Sequence, residues 1–224
     1  MIGVGTSLLF NRRAGKAGPP IPPFNDAMVD AWFMSGLSNV DKPSSIRGVK
    51  GNEMQLKNFV FTSESGFGEG SYEGALVFDG VDDYGICNNL PILDDYTVIC
   101  RRALENNANN VVASKSVVAG NGAFIFEYGN NATYSFREYT SGLAVNLKDS
   151  VSYQTKNSYN GSTITVGNAD DTDTLTLGII REKDSRIMRG AIYYFALYNK
   201  SLAPEEIETE KERLNEEWLK RKTE

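Results

Sequence analysis

The sequence predicts an all-β fold, a sandwich or jelly roll that carries an extended N-terminal arm and a C-terminal α-helix. Three observations support this prediction. Many short segments rich in β-forming residues alternate with regular turn signals, one long segment near the end is apolar on both faces, and a helical pattern follows it. The 224 residues suffice for one sizeable sandwich with appendages and are marginal for two domains.

Composition limits the partners that the chain can have. A net charge of -6 and a pI near 4.9 argue against general nucleic-acid binding, which needs a cationic face. Hydrophobic residues make up 41% of the sequence, enough for a globular core, yet no apolar run of about 18 residues could span a bilayer. Residues 1–10 lack the leading cation of a secretory signal, so we expect no export signal and no membrane insertion.

Residues 1–25 form a basic arm. They contain Arg12, Arg13 and Lys16, no acidic residue, and a closing Pro-rich run that favours an extended polyproline conformation. The arm is either a disordered leader or a tether that becomes ordered on an acidic partner surface. Its charge contrast with the acidic remainder favours the tether, in which Arg12, Arg13 and Lys16 anchor the chain to an assembly.

Residues 26–202 carry the strand pattern of the sandwich. Segment 74–87 places a polar turn, residues 79–83, between two β-forming runs, which predicts a sheet corner. Segment 187–198 is apolar on both faces and should lie centrally in its sheet. The other predicted strands cover residues 28–33, 55–61, 96–101, 111–118, 123–128, 133–138, 143–147, 151–155, 162–166 and 175–180.

Residues 203–224 form the predicted C-terminal helix. Pro204 suits its first turn, and Ile207, Leu214 and Trp218 recur on one side as a narrow apolar stripe. This stripe either packs on the chain's own sandwich, which its narrowness favours, or contacts a helix of another subunit.

Three blocks together resemble the concanavalin A-like lectin/glucanase superfamily in its laminin-G-like form: FDGVDDYG at 78–85, LTLG at 175–178 and RGAIYYFALYNKSLAPEEI at 189–207. The resemblance covers approximately residues 27–207 and implies a jelly-roll sandwich of two antiparallel sheets. Ala203 departs from the pattern because a Ser or Thr helix cap is usual there, at a cost of about 1 kcal/mol. Residues 35–68 are similar to the lead-in of laminin-G-like proteins of gut bacteria and their bacteriophages.

The sequence offers no catalytic constellation. It contains no histidine, which removes Ser-His-Asp and Cys-His catalysis and histidine-ligated zinc. The glucanases of the superfamily carry a Glu-x-Asp-x-x-Glu strand, and its nearest match is 182–187, where Ile187 replaces the second Glu. We therefore predict no catalytic residue, no cofactor and no enzymatic activity.

Two acidic turns raise the question of calcium, which laminin-G-like domains sometimes bind. The loop 170–173 lacks the glycine and the distal Glu of an EF-hand, which favours a solvated acidic turn. Asp79, Asp82 and Asp83 lie in the corner, where capping of the turn is the favoured role. We predict no metal site.

Two cysteines, Cys87 and Cys100, lie in β-forming runs. Nothing else in the sequence requires an oxidising compartment, which favours buried free thiols over a disulfide.

Tyr128, Tyr134, Arg137 and Tyr139 form the best candidate for ligand binding, because a glycan site needs aromatic faces beside planar polar groups. The alternative is that these side chains only pack on the sheet. A strand through this segment would place Tyr134 and Phe136 on one face and Arg137 and Tyr139 on the other, so the four share a surface only if the chain bends.

Two functions follow. The first is a non-enzymatic structural or appendage protein of a bacteriophage virion, such as a head fibre, decoration or tail-associated protein, that binds other virion proteins through its arm and displays the jelly roll to host glycans. The second is a bacterial carbohydrate-binding, lectin-like module. The expected lack of an export signal ranks the virion first, because virion proteins leave the cell by lysis. We also expect a homo-oligomer.

Overall fold

The computed structural model describes residues 23–105, 110–116, 122–129, 131–168, 170–180 and 186–224. These residues form two antiparallel sheets that enclose a common core, and a helix packs outside one sheet, so the predicted sandwich with a C-terminal helix is confirmed. The arm cations Arg12, Arg13 and Lys16, and residues 182–185 of the glucanase-like stretch, lie outside the described residues.

The bounds of the described elements fix the topology. In chain order they are β1 (Met28–Phe33), β2 (Ser45–Arg47), β3 (Glu53–Lys57), β4 (Gly66–Phe67), a short 3-10 helix (Gly70–Tyr72), β5 (Leu76–Asp79), β6 (Tyr84–Cys87), β7 (Thr97–Leu104), β8 (Val111–Lys115), β9 (Phe124–Tyr128), β10 (Ala132–Ser135), β11 (Glu138–Ser141), β12 (Ser150–Thr155), β13 (Ser158–Tyr159), β14 (Ser162–Thr163), β15 (Leu175–Leu177), β16 (Arg189–Tyr198) and α1 (Pro204–Thr223). The first sheet has the order β14-β13-β12-β7-β16-β5-β4 with β1 beside β16, and the second has the order β11-β10-β9-β8-β15-β6-β3-β2.

Strand β16 is the centre of the first sheet, as its apolar sequence predicts. One side pairs with β7 along most of its length, while the other side pairs first with β5 and then with β1. Phe195 and Leu197 point into the core between the sheets, whereas Tyr194 and Tyr198 point to the face that the helix covers. Both faces of this strand are therefore buried.

The predicted corner links the two sheets. Strand β5 belongs to the first sheet and β6 to the second, so residues 79–83 carry the chain from one to the other. Gly178, which has φ +80°, packs directly on Phe78, and a Cβ at this glycine would lie 2.5 Å from the Phe78 ring. The FDG and LTLG blocks of the sequence therefore meet in the core, where a side chain at residue 178 would not fit.

Cys87 and Cys100 are buried free thiols, as the sequence predicts. Burial raises the pKa of the Cys87 thiol to about 12, and it also raises the pKa of Cys100 well above its ordinary value. Both thiols therefore act as small hydrophobic core residues.

Helix α1 packs on the chain's own first sheet, which confirms the favoured interpretation of its stripe. Ile207, Leu214 and Trp218 are buried there. The Trp218 indole N–H donates to the carbonyl of Gly74 over 2.8 Å, and the guanidinium of Arg101 lies 4.3 Å from the Trp218 ring centre. Among the described residues, no helix has the length and apolar character that a membrane crossing requires.

The predicted strand at 143–147 is wrong. The alternating side chains of Leu143, Val145 and Leu147 do pack against the core, as the pattern indicates. However, the backbone of this segment joins no ladder: Leu143 and Val145 donate their N–H groups to the carbonyl and the side chain of Asn131. Alternation thus identified the buried face but not the backbone partner.

Candidate functional site

A β-hairpin replaces the single strand that the sequence predicts at 133–138. Strand β10 ends at Ser135, Phe136 and Arg137 form the turn with φ of +47° and +71°, and β11 returns. Two consecutive positive φ angles are typical of the tight turn that joins antiparallel strands. This bend sets Tyr134 directly opposite Tyr139.

The hairpin and strand β9 bring three tyrosines together, and we call Tyr128, Tyr134 and Tyr139 the tyrosine cluster. The ring centres of Tyr128 and Tyr134 are 5.6 Å apart, and those of Tyr134 and Tyr139 are 5.0 Å apart. Tyr139 is 49% exposed, and the other two are partly exposed. The cluster therefore presents a continuous aromatic surface on the outer face of the second sheet.

A bulge in β9 explains why Tyr128 joins this surface. Phe124 and Phe126 point into the core, and Glu127 would point outward in a regular strand. Glu127 instead adopts φ +51°, and its carboxylate turns inward to the guanidinium of Arg102, with two N–O distances of 2.6 Å. The next side chain, Tyr128, consequently lies on the outer face.

Arg186 adds a cation to the tyrosine cluster. Its guanidinium carbon lies 5.2 Å from the centre of the Tyr128 ring, within the range of a cation–π contact. Burial, together with the neighbouring Tyr128 and Tyr139, raises the pKa of Tyr134, so its hydroxyl stays protonated and neutral. The predicted ligand-binding group did not include Arg186, because this residue lies far along the chain from the three tyrosines.

The structure separates Arg137, the fourth predicted residue, from the three tyrosine rings. Arg137 lies in the turn of the hairpin and lines a cavity of about 620 Å³ at one end of the sandwich. We call this the end cavity; its polar lining comprises Asp94, Arg137, Lys156, Asn168, Asp170 and Asp171. The same hairpin thus carries part of the tyrosine cluster on its strands and lines the end cavity with its turn.

Asp171 anchors the loop beside the end cavity, and the interpretation of 170–173 as a solvated acidic turn is wrong for this residue. Its carboxylate forms a buried ion pair with Lys115 at 2.6 Å and accepts the N–H groups of Leu93 and Ala123. Burial lowers the pKa of Lys115, and the nearby Asp171 carboxylate partly offsets this by raising it. A charged strand residue, Lys115, thus requires an acid from the loop as its internal partner.

The carboxylates of Asp79 and Asp83 cap the turn of the corner, in agreement with the sequence interpretation of these two residues. Asp79 accepts the N–H of Val81, while Asp83 accepts the N–H of Asp79 and the hydroxyl of Ser65. Burial raises the pKa of Asp83 to about 6. Ligand atoms of Asp79, Asp82 and Asp83 lie within 4.8 Å of one another, the one such acidic group within the described ranges that could hold a cation.

The fold is similar to that of solved sandwich domains. The structure aligns with Trypanosoma rangeli sialidase in complex with 2,3-difluorosialic acid at a TM-score of 0.51 and 16% identity, over 84% of this chain and 33% of that chain. It aligns with the botulinum neurotoxin serotype D binding domain at a TM-score of 0.52 and 14% identity, over 84% of this chain and 52% of that chain. The botulinum neurotoxin serotype D ligand binding domain in complex with N-acetylneuraminic acid aligns at a TM-score of 0.51 and 14% identity, over 82% of this chain and 50% of that chain.

These likenesses define a lectin-like β-sandwich. The chain spans one third of the sialidase, 33%, and about half of the two neurotoxin domains, 52% and 50%. At 14–16% identity the comparison concerns the fold alone. No protein-family model and no curated protein matches the sequence.

Proposed function

We propose that this chain is a non-enzymatic glycan-binding module and that the tyrosine cluster is its contact surface. The observation that carries the proposal is the series of three touching rings, Tyr128, Tyr134 and Tyr139, exposed together on the outer face of the second sheet. Single exposed aromatic side chains are common on protein surfaces, but a contiguous exposed patch marks a binding site.

The chemistry of the tyrosine cluster fits a sugar. A pyranose ring has an apolar C–H face and a rim of hydroxyls, while a tyrosine has an apolar ring and a polar hydroxyl tip. The two can pack face to face while the phenol hydroxyls and the Arg186 guanidinium supply hydrogen bonds at the rim. The solved neighbours support this class of ligand, because one is a complex with N-acetylneuraminic acid and another is a complex with 2,3-difluorosialic acid.

Removing the central ring should weaken binding strongly. Tyr134 contacts both other tyrosines, so Tyr134→Ala breaks the aromatic surface in the middle. We expect a loss of at least about tenfold in affinity on a polysaccharide array, because each buried aromatic contact contributes on the order of 1 kcal/mol or more. Tyr139→Ser should weaken binding similarly, and Tyr139→Trp should retain it.

The matched control is Tyr153→Ala, which removes a partly exposed tyrosine from the first sheet, where Lys211 covers its ring. This variant should bind the array like the parent. Equal binding by Tyr134→Ala and the parent would place the glycan site elsewhere. An array on which the parent chain binds nothing would overturn the proposal itself.

We further propose that this module is displayed on a bacteriophage virion as a homo-oligomeric structural or appendage protein, with Arg12, Arg13 and Lys16 anchoring it to other virion proteins. The support is the similarity of residues 35–68 to laminin-G-like proteins of gut bacteria and their phages, and the acid-free arm. Mass spectrometry of purified particles should detect the chain. Its absence from virions would leave a bacterial lectin-like module as the function.

A further inference from the structure

We propose that the end cavity binds a sugar that bears a carboxylate, with Arg137 holding the carboxylate group. This inference rests on the proposed glycan-binding function and specifies the class of sugar. The cavity measures about 620 Å³, within the range of ligand-binding cavities in proteins. Arg137 is one of the two turn residues between β10 and β11, so one hairpin links the tyrosine cluster to this cavity.

Arg137 is available for a ligand. Its side chain is exposed, and within the described part of the chain it makes no hydrogen bond or ion pair. The backbone at this position is anchored, because the preceding Phe136 is buried against the ring of Tyr96 in the core. A planar guanidinium at the rim of a cavity can form two parallel hydrogen bonds to a carboxylate.

Lys156, which follows β12 of the first sheet, supplies a second cation to the lining. Its ammonium donates to the carbonyl of Asp94 over 3.1 Å and lies 5.0 Å from the ring centre of Phe136. An ammonium has three donors, so these contacts orient the group and leave hydrogen-bonding capacity for a ligand.

The acidic residues of the end cavity determine which anion fits. Asp171 is neutralised by its ion pair with the buried Lys115 and adds no free charge. Asp94 and Asp170 also line the cavity, and their carboxylates repel a bare anion but accept hydrogen bonds from hydroxyls. A sugar acid, which combines one carboxylate with several hydroxyls, therefore matches the lining better than phosphate or a neutral sugar.

The test compares two sugars that differ only at this group, methyl β-D-glucuronide and methyl β-D-glucoside, by NMR titration of the isotope-labelled full chain. We expect the glucuronide to bind at least about tenfold more tightly, because a bidentate charge-assisted pair is among the strongest polar contacts. The backbone amides of Gly167 and Asn168, which line the cavity, should shift on binding.

Arg137→Asn should remove this preference while leaving the fold unchanged, because Asn tolerates the positive φ of the turn. Lys220→Gln, on the exposed face of α1, is the matched charge control and should keep the preference. Two similar sugar affinities, an unchanged preference in Arg137→Asn, or equally large shifts with inorganic phosphate would each overturn the inference. The two proposals can fail separately. If the tyrosine cluster is not a glycan site, Tyr134→Ala will bind glycans like the parent, whatever the effect of Arg137→Asn.

Discussion

Glu127→Gln is expected to lower the free energy of unfolding by about 3–5 kcal/mol, because it leaves a buried guanidinium without its counter-ion. The side chains of Arg102 and Glu127 are 0% and 1% exposed, and the Tyr159 hydroxyl also donates to the Glu127 carboxylate over 2.7 Å. A neutral amide accepts fewer and weaker bonds from these three donors. Urea denaturation of the parent and the variant measures the loss.

The exposed ion pair of the adjacent residue provides the control. Arg101 and Asp149 are 2.7 Å apart with side chains 19% and 40% exposed, so Asp149→Asn should cost less than about 1 kcal/mol. Replacing both Arg102 and Glu127 by Met should be less damaging than Glu127→Gln alone, because no unpaired charge remains in the core. A Glu127→Gln variant as stable as Asp149→Asn would contradict the assigned role of this pair.

Trp218→Ala is expected to destabilise the protein by about 3–5 kcal/mol, the usual cost of truncating a buried Trp. Trp218 is 4% exposed, lies 5.7 Å from the Tyr193 ring and donates to the carbonyl of Gly74. Its loss should also increase hydrogen exchange throughout α1, because this residue is the main contact of the last turns with the first sheet.

The neighbouring residue gives the matched control for the helix. Leu219 is 47% exposed, and Leu219→Ala should change stability by less than about 1 kcal/mol. If the two variants were equally stable, α1 would not depend on its own sheet, and contact with another subunit would have to explain its apolar stripe.

The elements that the sequence predicted well are those whose local pattern also determines their burial. The apolar segment of β16 has buried faces on both sides, and the stripe of Ile207, Leu214 and Trp218 meets the first sheet. The polar turn 79–83 is the corner between the sheets. In each case the residue types alone favour one environment over the others.

The candidate site was predicted only in part, because two backbone features carry no strong sequence signal. The turn at Phe136 and Arg137 contains neither Gly nor Asn, so the sequence pattern predicts one continuous strand at 133–138. The bulge at Glu127 turns an apparent surface acid into the partner of Arg102. Both depend on contacts with residues distant in the sequence, which pattern and propensity do not contain.

Strand β16 also determines when the first sheet can form. It is the shared neighbour of β1, β5 and β7, yet it is the last strand of the chain. During synthesis these three earlier strands therefore have open edges until residues 189–198 have been made. Pairing β1 with β16 closes a loop that contains almost the entire sandwich. The entropy of that closure must be lost before the contacts stabilise the sheet, so we expect this chain to fold slowly.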